Sequence, residues 1–250
     1  MDPRGRRRAR RARAPRRRVL VLAAIPLVLM VTAIAALTVA YPSVVALACP
    51  ACYGFAEIQP RVYVERGATG ARRATVTAAL TTADAALRTF YGDRVSAPRV
   101  LACVTDDCYQ RLRGGGSRGI AVLNRGVLLS PAGLDPVIAT HELAHVELHE
   151  RLGSATVPRW FDEGLAVVVS DDPRYLAPAG SADRCLLPPA EARPLTARDW
   201  NLSTAGADNA YPKAACLVSH WLAASGGPAA VHDLVAGLRA GTPFHALVAP

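Results

Sequence analysis

Asp135-Pro136-Val137-Ile138-Ala139-Thr140-His141-Glu142-Leu143-Ala144-His145-Val146 carries an apolar helical pattern into which two histidines and a glutamate are set. Asp135 is placed as an N-cap and Pro136 at the first helical position, where its missing N–H costs nothing. On such a helix His141 and His145 leave the same face one turn apart, so both imidazoles can reach one zinc ion from a rigid element. Glu142 then stands beside the ion, where a carboxylate can take a proton from water. This is the H-E-x-x-H spacing.

Catalytic zinc is held by three protein ligands, so a third is expected elsewhere. Trp160-Phe161-Asp162-Glu163-Gly164-Leu165-Ala166, preceded by Pro158, reads as a second helix and offers Glu163, seventeen intervening residues after His145. Gly164, lacking a Cβ, is expected to let this helix approach the first closely. Asp162 reads as a surface carboxylate, or else as an acceptor for a ring N–H of a zinc histidine. His149 makes an i, i+4, i+8 series with His141 and His145. Two helical turns carry it about 12 Å from His141 along the axis, too far to share one ion, so it is expected to face solvent or support the site.

His-Glu-Leu-Ala-His followed by Trp-Phe-Asp-Glu-Gly-Leu-Ala resembles the gluzincin branch of zinc metallopeptidases, the peptidase-MA-like families related to aminopeptidase N and thermolysin. The resemblance spans residues 56–250 and is strongest over 134–170. It implies an α+β zincin-like domain: a small mixed sheet, an active-site helix and C-terminal helices. It further implies Zn2+ bound by His141, His145 and Glu163, Glu142 as general base, and a peptide or protein substrate. The resembling families carry a tyrosine near the start of a later helix, which points to Tyr211 as the donor to the carbonyl oxygen; a packing tyrosine is the alternative. His220 is the fallback donor, or a core histidine. A non-catalytic zincin-like module that binds metal or peptide at the outer membrane face is the competing reading of the same residues.

The N-terminus is written in other terms. Residues 1–18 hold ten Arg and one Asp, a net charge of +9 that equals the charge of the whole chain, so residues 19–250 balance 19 basic against 19 acidic groups. A neutral body gives no reason to expect nucleic acid as a partner. The charge-free run 19–40 is long enough to span a bilayer, and the positive-inside rule puts the Arg tail in the cytoplasm and the rest outside. Its contact there is membrane lipid. The expected division is a cytoplasmic tail (1–18), an anchor (19–40), a juxtamembrane linker (41–55) and a peptidase domain (56–250). A cleaved signal peptide is the rival reading, with Ala46-Leu47-Ala48 as an A-x-A site, although secretory apolar regions are shorter than this one.

Six cysteines follow the anchor, as expected in an oxidising space. Loop length pairs Cys49 with Cys52, Cys103 with Cys108 and Cys185 with Cys216. Cys49-Pro50-Ala51-Cys52 lacks the preceding strand of a redox motif. Strands are expected at 61–64 and 99–104, a helix at 71–91, a flexible linker at 114–117, and a hairpin from 120–123 and 127–130. The second hairpin strand, 127–130, is the candidate edge strand for pairing with an extended peptide. Residues 171–198 read as loop, with Asp183 and Glu191 as surface charges, and helices resume at 209–224, 228–238 and 244–248.

Overall fold

A computed structural model describes residues 29, 30, 32, 36, 38–188 and 210–248. The Arg-rich tail, most of the expected anchor and Glu191 lie outside these. Among the described residues no helix is long and apolar enough to cross a membrane.

The fold is mixed α+β, built on five strands: β1 (Phe55–Gln59), β2 (Val62–Glu65), β3 (Arg99–Ala102), β4 (Gly119–Val122) and β5 (Gly126–Leu129). Their order is β1-β2-β3-β5-β4, with β2/β3 and β3/β5 parallel and the two outer pairs antiparallel. The pleat divides β3 and β5 between two cores. Val100, Ala102, Val127 and Leu129 face the main core; Leu101 and Leu128 face a smaller one containing Phe55, Tyr109 and the Cys103–Cys108 pair.

This burial corrects the edge assignment. Residues 126–129 are buried throughout and lie between β3 and β4, so the free edge belongs to β4. A strand covered on both faces reads as a continuous apolar run, which Val127-Leu128-Leu129 is; Gly119-Ile120-Ala121-Val122 is the looser partner.

Residues 41–55 also differ from a linker. Helix α1 (Pro42–Ala48) and a 3-10 turn (Pro50–Tyr53) precede β1. Ala46 is fully buried in the smaller core, and Arg99 Nη1 donates to the carbonyls of Leu47 (2.7 Å) and Ala48 (3.2 Å). Helix α3 (Asp106–Arg111), capped by the Thr105 hydroxyl accepting from Cys108 N, is an element the sequence reading did not anticipate. The expected linker at 114–117 is a packed turn: a Cβ on Gly114 would fall 2.2 Å from the Tyr109 ring, and Ser117 Oγ bonds Tyr109 Oη at 2.8 Å.

Helix α2 (Gly70–Tyr91) packs on α4 (Pro136–Leu152), the long helix predicted from Asp135 onward. Asp135 accepts from Ile138 N at 3.0 Å, with Pro136 at the first position, and Gly153, at a positive φ of 64°, ends the helix. Helix α5 (Arg159–Ser170) returns against α4 and packs closely on α6 (Ala210–Ser225); α7 (Ala229–Arg239) and α8 (Phe244–Leu247) complete the main core. A Cβ on Gly164 would sit 2.4 Å from the Ala214 carbonyl oxygen. The close approach that Gly164 permits is therefore to α6, not to α4. The three cysteine pairs join as loop length predicts, with Cα separations of 5.4, 5.6 and 4.7 Å.

Candidate metal centre

The packing of α5 across α4 brings the two motifs into contact. His141 Nε2 and His145 Nε2 lie 3.2 Å apart, and Glu163 Oε2 lies 3.4 Å from the first and 3.6 Å from the second. A tetrahedral zinc ion with bonds near 2.0–2.1 Å separates its ligand atoms by about 3.3 Å. The three side chains thus form one face of a zinc-sized tetrahedron, and this is the grouping of histidine and carboxylate expected from sequence. All three are largely withdrawn from solvent on the protein side and open onto a cleft of about 730 Å³.

Of the two places open to Asp162, the structure shows the acceptor for a histidine ring N–H, with the side chain 16 % exposed. Its Oδ1 lies 2.7 Å from His145 Nδ1 and its Oδ2 lies 2.8 Å from His149 Nε2. A ring N–H donated from Nδ1 to this carboxylate leaves the His145 Nε2 lone pair for a cation, which fixes both tautomer and ring plane. Burial opposes ionisation of Asp162, but the hydrogen bonds from His145 and His149, together with their charge when the rings are protonated, outweigh it and hold the carboxyl down to about 2. His149 thereby acquires a role: one turn beyond His145 on α4, it clamps the carboxylate that orients His145. Replacement of Asp162 by Asn is expected to weaken zinc binding about ten- to hundredfold, measured by competition with a chromogenic chelator. Unchanged affinity would show that α4 and its packing set the His145 orientation without the Asp162 carboxylate.

Glu142 is 8 % exposed and lies beneath the edge strand. Burial raises its carboxyl above the ordinary range, against the pull of His141, His145 and a backbone hydrogen bond from Ala121. Gly119 is required here, because a Cβ at that position would stand 2.6 Å from Glu142 Cγ. Strand β4 can therefore lie directly over this carboxylate.

Tyr211, at the head of α6, lines the same cleft, its ring stacked on Tyr175 at 5.3 Å. Burial first, and then the neighbouring Glu163 charge, push its hydroxyl up to about 12, so it is a proton donor at neutral pH. His220 is neither a core residue nor part of the cleft: its ring is half exposed and bonds Asp183 at 2.9 Å. The Ser219-His220-Trp221 context misleads because Trp221 alone faces inward; adjacent helical positions point about 100° apart. No protein-family model, curated protein or solved structure matches the chain.

Proposed function

We propose that the chain is a membrane-anchored, extracytoplasmic zinc peptidase of the zincin type. The observation that carries this reading is the convergence of His141 Nε2, His145 Nε2 and Glu163 Oε2 to within 3.2–3.6 Å of one another, with the buried Glu142 next in sequence to the first ligand. Zinc held by these groups supplies Lewis acidity, polarising a carbonyl and acidifying water. Glu142 accepts the proton of the attacking water and returns it to the leaving amine nitrogen. Tyr211 donates its hydroxyl hydrogen to the carbonyl oxygen as negative charge grows there. Strand β4, outermost on its side of the sheet and lining the cleft, pairs with the main chain of an extended substrate, which gives affinity without demanding a particular sequence.

The packing of α1 favours a retained anchor over a cleaved leader. Cleavage after Ala48 would detach a helix whose Ala46 is buried and whose last carbonyls accept from Arg99. One experiment addresses activity and location together: a peptide library is offered to intact cells displaying the protein. Cleavage that stays with the cells and stops on chelation is the expected result. Activity released into the medium would favour a cleaved leader, and peptide binding without cleavage would favour a zincin-like binding module.

A further inference from the structure

The cleft beside the metal centre is lined by three arginines, Arg118, Arg159 and Arg174, and by three carboxylates, Glu142, Asp162 and Glu163. The carboxylates are all engaged. Glu163 joins the metal cluster, Asp162 holds His145 and His149, and Glu142 is buried under β4. Arg159 leans toward Glu163 Oε1 at 3.7 Å. Among the described lining residues each carboxylate is therefore already engaged, which leaves the three arginines to be compared.

Of the three, Arg174 is the one that is built in. Asp172, 0 % exposed, accepts the Arg174 backbone N–H at 3.0 Å, its Nε at 2.8 and 3.1 Å, and its Nη2. The guanidinium carbon sits 5.0 Å from the centre of the Tyr175 ring, and that ring stacks on Tyr211. A buried carboxylate and an aromatic face thus fix the guanidinium plane against a wall shared with Tyr211. Nη1 has no partner among the described residues, and the side chain remains 38 % exposed. A guanidinium already immobilised loses little freedom when it binds a planar acceptor.

We infer that Arg174 is a recognition residue for a carboxylate on the peptide, either an acidic side chain or a free C-terminus, so that the enzyme prefers anionic substrates. The inference rests on the peptidase reading for its consequence but not for its measurement. If Arg174 only braces the end of α5 through Asp172, its loss lowers stability and leaves substrate choice untouched.

The test uses zinc-loaded, detergent-purified full chain and matched peptides differing in one group: Glu against Gln along the sequence, and free acid against amide at the C-terminus. Wild type is expected to show kcat/KM about ten- to hundredfold higher for the anionic member of at least one pair, the range of a hydrogen bond between charged groups, expressed in KM and reduced by salt. Arg174→Gln should bring that ratio to about one, and Arg174→Lys, which keeps a charge beside Asp172 but not the planar fork, should recover only part of it. Arg118→Gln should leave the ratio as it is. Which pair shows the effect identifies the source of the carboxylate. The same ratios read by fluorescence anisotropy of labelled peptides keep the question answerable if no peptide is cut, in which case the peptidase reading fails on its own. A wild-type ratio near one in both assays, a ratio that survives in both Arg174 variants, or a ratio abolished by Arg118→Gln instead would overturn the assignment.

Discussion

Glu142→Gln is expected to keep its fold and its zinc while losing at least about a hundredfold in kcat, the scale of a lost general base. Glutamine preserves the shape of the side chain under Gly119, so β4 need not move. It cannot accept the proton. Because Glu142 stands outside the triangle of His141, His145 and Glu163, metal content should not change. Tyr211→Phe probes the other side of the reaction and should lower kcat by about 10²-fold with little change in KM, since the hydroxyl acts mainly on charge that exists in the transition state. Steady-state kinetics with metal analysis of each variant provides the check. Equal rates for wild type and Glu142→Gln would remove the base from the mechanism.

The largest effect on stability is expected at Glu147, on the far side of α4 from the ligands. Its fully buried carboxylate accepts from Arg94 Nε (2.9 Å), Val95 N (2.9 Å), Ser96 N (3.1 Å), Ser96 Oγ (2.6 Å) and Arg151 Nε (3.0 Å). These bonds tie the segment after α2 to the helix that carries both histidines. Glu147→Ala removes the counter-charge that Arg94 and Arg151 share, while Arg94 keeps Asp84 at 2.8 Å, so a loss of about 3 kcal/mol, the low end for a broken buried pair, is expected. Burial pushes the Glu147 carboxyl up, but Ser96, Val95 and Arg94 prevail and lower it overall. A lowered folded-state value means that the stabilisation is complete above the unfolded carboxylate value of about 4.3 and is lost as pH falls through the lower folded one. Denaturant unfolding of wild type should therefore steepen in its pH dependence below about pH 4, and the variant should lack that component. A loss under about 1 kcal/mol would mean that apolar packing alone positions α4.

The two long helices of the site were legible because their signals are local. Asp135-Pro136 marks a start and the 3.6-residue apolar spacing marks a face. The approach of His141 and His145 was legible for the same reason, since helix geometry alone places them on one face. What escaped depends on contacts between segments distant in sequence. For Asp162 and His149 the sequence leaves a surface place and a supporting one both open, and only the laying of α5 across α4 decides between them. The hairpin was readable, but which of its strands ends the sheet depends on the parallel pairing of β5 with β3, which leaves little trace in either segment. Helix α1 was hidden by its neighbour: Pro42-Ser43-Val44-Val45-Ala46 continues the apolar character of the run before it, and only burial against β3 and β5 separates the two. Arg174 gave no sequence signal, because its value lies in the buried Asp172 two residues earlier and in the cleft it lines.

Zinc content of the purified full chain, set beside that of His141→Ala, is the most direct measurement of the metal centre. One zinc per wild-type chain and a near-complete loss in His141→Ala, with the fold unchanged by circular dichroism, is the expected result, because His141 supplies one corner of the 3.2–3.6 Å triangle. Full zinc occupancy in His141→Ala would place the metal elsewhere and contradict the site.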